Sequence, residues 1–291
     1  MMQNTEHTAA PLLVRGGRVH DAVHPEPQQI DLLLENGRIV AMGHELNVPA
    51  DIAVLDAAGL DIFPGFVDAH THIGLDGYGI GYEGCDYNEM NDIWTPQLRA
   101  IDGINPRDPS FAHAREAGIT CVCTGPGSAN VLGGTFTAIR IAKEFDVGLT
   151  LEHVTEGHLI VDELAKESNI PMAVGPSLTF ASKFELQNKS WETPGVLAKA
   201  GCHVSIITDN SVIPQQYLPL CAGMAVKAGM DPFAALQAIT INPARHIGIA
   251  DRVGSIEVGK DADLVLTDGC PFEVMTNVKA VLINGAVVSQ K

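Results

Sequence analysis

Basic residues are scarce in this chain. Lys and Arg together number 18 against 35 Asp and Glu, for a formal net charge of −17. So little positive charge leaves no basic surface to neutralise phosphates, which excludes nucleic acid and anionic membrane as partners. Long apolar runs are missing too. No stretch approaches the roughly 18 apolar residues of a spanning helix, and the polar segment Met1 to Pro11 has no basic lead-in. Neither a membrane span nor a secretory leader is expected. The six cysteines, at positions 85, 121, 123, 202, 221 and 270, form no Cys-x-x-Cys pair and no zinc-finger spacing. A reduced, cytoplasmic setting follows, with Cys121 and Cys123 as small core residues of a buried strand.

What is present suits a large α/β fold. Hydrophobic residues make up 46% of the 291 and charged residues 18%, enough to bury a sizeable core. Residues 12–64 read as short strands. Ile30–Leu34 and Arg38–Met42 flank Glu35-Asn36-Gly37, a hairpin signal because Asn-Gly tolerates positive φ at both turn positions. Ala262–Leu266 and Val278–Ile283 are again short strands, the second leading into Asn284-Gly285. Neither end has enough strands to cover a hydrophobic face alone. The expectation is one discontinuous β-sandwich domain, residues 1–64 plus 251–291, with residues 65–250 inserted as a parallel βα domain.

That body alternates apolar strands with capped helices. Strand Phe66–His70 precedes a helix opened by Asp108-Pro109 and closed at Gly118, with Asp as N-cap and Pro at the first helical position. Strand Ile119–Thr124 follows, then a helix over Thr137–Phe145 with Ala138, Ile141, Ala142 and Phe145 on one face. Strands Leu149–His153, Pro171–Val174 and Val204–Asp209 alternate with helices near Val161–Glu167, Thr193–Ala200, Tyr217–Lys227, Asp231–Ile239 and Asn242–Ile247. About five βα units result, against the eight of a closed barrel.

The strongest chemical signal is Pro64-Gly-Phe-Val-Asp-Ala-His-Thr-His-Ile73. His70 and His72 are two apart at a strand end, so both imidazoles share a face, half of a divalent-metal site. His153 ends another strand, as a further ligand or as a histidine that only hydrogen-bonds in the sheet. Asp209 ends Val204-Ser-Ile-Ile-Thr-Asp, where a carboxylate after mostly apolar residues is costly to bury without a cation. The alternative role is helix N-cap. His158 is poised either to touch substrate or to cap a helix. The loop 76–94, with Glu83, either recognises substrate or is a solvated insertion. Gly125–Gly134 is glycine-rich but lacks the Gly-Lys-Ser/Thr ending of a phosphate loop, so no nucleotide cofactor is implied.

Phe63-Pro-Gly-Phe-Val-Asp-Ala-His-Thr-His, Thr240-Ile-Asn-Pro-Ala-Arg-His-Ile-Gly and Gly254-Ser-Ile-Glu-Val-Gly-Lys-Asp-Ala-Asp-Leu-Val-Leu resemble the amidohydrolase superfamily, in particular its imidazolonepropionase-like members. The resemblance implies a (β/α)8 TIM-barrel-type metal-dependent hydrolase with a small β-sandwich. It would cleave a C–N bond in a cyclic amide, amidine or acyl-amine by metal-activated water. His70, His72, His153 and Asp209 would bind one or two divalent ions, Zn2+ first and Fe or Mn next. Asp209 and His153 would be catalytic, and His158 and Glu83 would contact a small-molecule substrate. The family also uses a histidine after the fifth strand and a lysine or glutamate after the fourth. Here Ile119–Thr124 matches the second strand and Leu149–His153 the sixth, so about three βα units are missing near Phe136/Thr137. Two readings follow. One is an active hydrolase whose missing units come from a second chain or are left out of this sequence. The other is a truncated, non-catalytic relative that binds small molecules or acts as a scaffold. An open sheet with bare edges would also favour a homo-oligomer.

Overall fold

The computed structural model describes residues 9–291 apart from 86, 128, 131, 141–142, 147–150 and 182–185. Strands from both ends of the chain share one eight-stranded sheet. It contains β1 (Leu12–Val19), β2 (Gln28–Glu35), β3 (Arg38–Gly43), β4 (Ala53–Asp56), β5 (Asp61–Pro64), β12 (Leu264–Thr267), β13 (Val278–Ile283) and β14 (Ala286–Gln290). The hydrogen-bonded order is β14-β13-β12-β5-β1-β2-β3, with β4 beside the start of β1. The β2–β3 turn holds Asn36 at φ 51° and Gly37 at φ 79°, the two positive dihedrals that Asn-Gly supplies cheaply. Asn284 and Gly285 repeat the device between β13 and β14, at φ 50° and 71°.

This sheet is not two facing layers. Its β3 edge bonds back to the segment entering β12: Ile39 N donates to Lys260 O at 2.9 Å, Gly259 N to Ile39 O at 2.8 Å, and Ala262 N to Gly37 O at 2.8 Å. The sheet therefore curls until one side meets the other, which occupies an edge that would otherwise be open. An aliphatic cluster, including Val14, Leu32, Leu34, Ile39, Ile62, Leu264 and Leu282, fills it.

The body is an arc of parallel strands. β6 (Phe66–Thr71) pairs in parallel with β7 (Ile119–Thr124), and β10 (Met172–Val174) with β11 (Val204–Ile206). The two pairs are joined at their C-terminal ends, where Asp209 N donates to His70 O at 3.3 Å and His72 N to Asn210 O at 2.7 Å. Residues 151–154 run beside β10, since Ala173 N donates to Leu151 O at 2.8 Å and Val154 N to Ala173 O at 3.0 Å. The order along the arc is thus 151–154, β10, β11, β6, β7. Leu149 of the expected strand lies outside the described residues.

The strands are buried on both faces, as parallel strands must be. Val122, Met172 and Ile206 pack with helical residues such as Phe111, Leu197, Ala222 and Leu236. Cys121, Cys123, Val67 and Ile207 pack instead with Ala244 and Ile247. The helices are α1 (Ala100–Gly103), α2 (Pro109–Glu116), α3 (Val161–Leu164), α4 (Thr193–Lys199), α5 (Leu218–Lys227), α6 (Pro232–Ala238) and α7 (Ile241–His246). Asp108 caps α2, its side chain accepting from Ser110 N. Among the described residues no helix is long and apolar enough to cross a membrane.

One expected element is wrong. The stretch read as a helix over Thr137–Phe145 forms a hairpin instead, β8 (Thr137–Arg140) and β9 (Lys143–Asp146). β8 pairs antiparallel with β7, Thr137 opposite Thr124 and Arg140 opposite Cys121. The physical reason is the free edge of β7. Its buried backbone groups need partners, and a helix at this point in the chain would have left them unpaired. The β-branched Thr137 and Ile139 suit the strand as well. Ile141 and Ala142 lie outside the described residues.

Candidate metal centre

Four side chains from three strand ends meet at the C-terminal rim of the arc. His70 Nε2 lies 3.4 Å from Asp209 Oδ1, His72 Nε2 3.1 Å from the same oxygen, and His153 Nε2 3.4 Å from Asp209 Oδ2. His70, His153 and Asp209 each present a ligand atom within 4.8 Å of the other two, and His72 joins them through Asp209. His70, His72 and Asp209 are buried, while the His153 side chain is 34% exposed. Asp209 and His153 both sit in the left-handed region, at φ 52° and 54°, a backbone cost that recurs where side chains must be aimed at a site.

These approaches do not complete the hydrogen bonding. Nε2 of His70, Nε2 of His153 and Oδ1 of Asp209 are buried without a hydrogen-bond partner. Polar atoms in that state are costly, and here all of them border one volume. Burial works to raise the Asp209 carboxyl, but the imidazoles of His153, His70 and His72 outweigh it and hold it well below the usual carboxylate range. Burial likewise opposes protonation of His70, but Asp209 and Glu152 overcome it and raise His70 to about 9. The cluster is built to hold positive charge, and its nitrogen and oxygen donors are those a divalent transition metal takes.

The other ring nitrogen of each paired histidine is occupied. His72 Nδ1 faces Gly125 O at 2.7 Å, and His70 Nδ1 faces Glu152 Oε1 at 3.4 Å. Both acceptors favour a proton on Nδ1, so Nε2 is the nitrogen that would give up its proton and offer a lone pair to a metal. Gly125 lets Phe136 press close, since a Cβ there would collide with the ring, and Phe136 lies against His70 with ring centroids 5.0 Å apart. Tyr87 stacks on His72 at 4.9 Å.

Beneath the rim a polar network ties β6 to the segment after β11. Asp68 is fully buried and accepts from Thr208 Oγ1 at 2.6 Å, Gln215 Nε2 at 2.5 Å and His70 N at 3.2 Å. Gln215, also fully buried, accepts from Thr71 Oγ1 at 2.8 Å, and its N donates to Asn210 Oδ1 at 3.2 Å. Burial pushes the Asp68 carboxyl up to about 6 against the hydrogen bonds from Thr208 and His70. This network fixes the chain on either side of His70, His72 and Asp209.

Sequence reasoning missed Glu152, Tyr87 and Gln215. Glu152 precedes His153, and strand alternation would turn it to the opposite face. The positive φ at His153 breaks that alternation. Two other expected contacts are not brought to the cluster. His158 Nδ1 bonds Thr193 Oγ1 at 2.7 Å, anchoring its turn to the start of α4. Glu83 is exposed on the turn Tyr82–Gly84.

Comparison with known proteins places this geometry. The amidohydrolase family model matches residues 139–288, just over half of the chain. The chain belongs to the amidohydrolase family. It is similar to a solved amidohydrolase from Thermotoga maritima MSB8, with 28% identity, a TM-score of 0.91, and coverage of 96% of this chain and 100% of that one. That neighbour carries the family's TIM-barrel-like fold across to this chain. It also resembles the adenine deaminase of Listeria monocytogenes serotype 4b, 23% identical over 96% of this chain and 57% of that protein. The dihydroorotase of Syntrophus aciditrophicus is 46% identical, over 23% of this chain and 16% of that protein. The chain thus spans little more than half the length of the first of these curated relatives and far less of the second. The Listeria alignment runs over 347 residues against the 291 of this chain, so that relative has residues with no counterpart here.

Proposed function

We propose that this chain is a divalent-metal-dependent hydrolase of a carbon–nitrogen bond in a cyclic amide, amidine or acyl-amine. The observation that carries this reading is the convergence of three buried, unpartnered polar atoms, on His70, His153 and Asp209, at the rim of a parallel arc. His70, His72, His153 and Asp209 would hold the metal, zinc first by ligand type, with iron or manganese also suited. A divalent ion there supplies Lewis acidity, polarising a carbonyl and bringing the pKa of water down to about 7.

The chain's own residues do the rest. Asp209, a carboxylate that borders the shared volume from the end of its strand, would take a proton from the attacking water and pass it to the leaving nitrogen. Gly125 O and Glu152 hold the tautomers of His72 and His70. His153, the most open member, borders the cavity and would serve as a metal ligand or contact the substrate. In domain terms we assign 65–250 to the catalytic, barrel-type unit and 1–64 plus 251–291 to a small β-domain that supports it.

A second reading is favoured by one observation. The longer Listeria alignment fits a chain shortened between the strands that match the family's second and sixth, where further ligands would arise. That reading makes the chain a truncated relative that binds a small molecule without turning it over. Elemental analysis of the purified full chain, with turnover assays on cyclic amides and acyl-amines, separates the two. Stoichiometric zinc with turnover supports the hydrolase; turnover absent at full zinc occupancy supports the binder; no metal uptake sinks the metal assignment.

A further inference from the structure

A cavity of about 650 Å3 opens from the cluster, floored by Glu152, His153 and Asp209. The hydrolytic chemistry uses that floor and leaves the walls unexplained. They are largely aliphatic, formed by Leu159, Ile160, Leu164, Leu186, Val212 and Pro176, with Thr155, Glu156 and Thr179 between them. Three of these side chains stay open to solvent at the mouth, Leu159 at 59%, Ile160 at 52% and Val212 at 49%. Large apolar groups kept exposed around one concavity mark it as a binding surface.

Its charge is as telling. Neither Lys nor Arg is among the described residues that line it. The charged groups that do are carboxylates. Glu152 is engaged with His70, and Glu156 accepts from Asn188 N at 2.7 Å. A substrate arm ending in a carboxylate would meet the like charges of Glu152, Glu156 and Asp209. The ammonium beside the lining residue Thr179, Lys189 Nζ, is already engaged by Thr179 Oγ1 at 2.6 Å and Phe180 O at 3.1 Å, and the arm would lose its hydration on apolar walls.

We propose that this cavity takes an uncharged aliphatic arm carried next to the scissile C–N bond, and discriminates against arms that end in a carboxylate. The inference rests on the hydrolase reading and deepens it to a substrate class, aliphatic amides or acyl-amines. The step balances with water alone. Oxygen of water bonds to the carbonyl carbon, the C–N bond breaks, and the proton taken by Asp209 leaves on nitrogen, giving a carboxylic acid and an amine.

The test uses binding and turnover in parallel on the zinc-supplemented full chain. Butanamide, hexanamide and octanamide are compared by calorimetry with succinamate, adipamate and suberamate, their equal-length carboxylate counterparts. Affinity should rise about fourfold per methylene along the first series, the usual gain for burying a CH2 group. Each carboxylate should bind at least about tenfold more weakly than its partner, the cost of about one unpaired charge contact. The double variant Ile160→Lys, Val212→Lys changes two half-exposed mouth residues, so it should fold and should reverse the preference. Affinity flat with chain length, or carboxylates bound as well as amides, overturns the proposal. Length-dependent binding without hydrolysis keeps the pocket assignment and removes the catalytic one, so the two failures are distinguishable.

Discussion

The sheet built from the chain ends buries Val14, Leu32, Leu34, Ile62, Leu264 and Leu282 against one another, with its β3 edge closed by residues 259–262. The parallel arc buries Asp68, Thr71, Thr208, Asp209, Asn210 and Gln215 at its C-terminal rim. The first region holds an aliphatic cluster, and its buried Asp61 and Asp261 are paired with Arg18 and Arg252. The second gathers histidine and carboxylate side chains at one rim, with Nε2 of His70 and His153 and Oδ1 of Asp209 buried without a hydrogen-bond partner, a cost that a bound cation would offset. The difference teaches where selection for folding ends and selection for chemistry begins. Substitutions in the curled sheet should change stability and spare the site, and substitutions at the rim should do the reverse.

The largest effect should come from Asp209. Asp209→Asn removes the one carboxylate among the described residues that lies within 3.4 Å of all three imidazoles. Zinc content should drop to background and kcat should fall by about three orders of magnitude, within the range for loss of a general base. Thermal unfolding should show the fold retained. A variant that unfolds outright would erase the contrast between the regions.

Leu32→Ala tests the opposite corner. Leu32 is fully buried in the curled sheet, so its truncation should cost about 2–5 kcal/mol in urea unfolding. Zinc stoichiometry of the folded fraction should be unchanged. Metal loss in this variant would mean that the two regions are coupled more tightly than their separate cores suggest.

Gln215→Leu sharpens the comparison within the arc. It keeps volume but removes the bonds to Asp68 and Thr71. Zinc affinity, read by competition with a chromophoric chelator, should weaken about 10–100-fold, the usual effect of losing a group that orients metal ligands. Unchanged affinity would reduce the network to packing.

The smallest effect is a pH dependence. His246 on α7 is buried, with Nδ1 3.2 Å from Ser205 Oγ, and burial together with His203 and His70 lowers it to about 4. Unfolded, it would titrate near 6.5. The unfolded chain therefore takes up a proton first, and stability falls as pH drops from about 6.5 to about 4. Below that window the contribution is gone. His246→Asn should flatten this limb in urea midpoints measured against pH.

Several features were legible before any folding was known. The Asn36-Gly37 turn, the Asp108-Pro109 helix start and the shared face of His70 and His72 all follow from dihedral preferences and periods that act within a few residues. Asp209 was legible for a different reason: a carboxylate after mostly apolar residues has no inexpensive place to go. Local rules failed where pairing was decided at a distance. Thr137–Phe145 has an apolar spacing that suits a helix, yet the open edge of β7 draws it into a hairpin, because buried backbone groups must be bonded. Glu152 reaches His70 only because a positive φ at His153 turns the chain, and His158 turns away to Thr193. Gln215 joins Asp68 across 147 residues of chain. Composition and spacing determined which side chains carry chemistry. Only the tertiary structure decided which of them share a volume, since that depends on strand ends brought together by hydrogen bonds between distant segments.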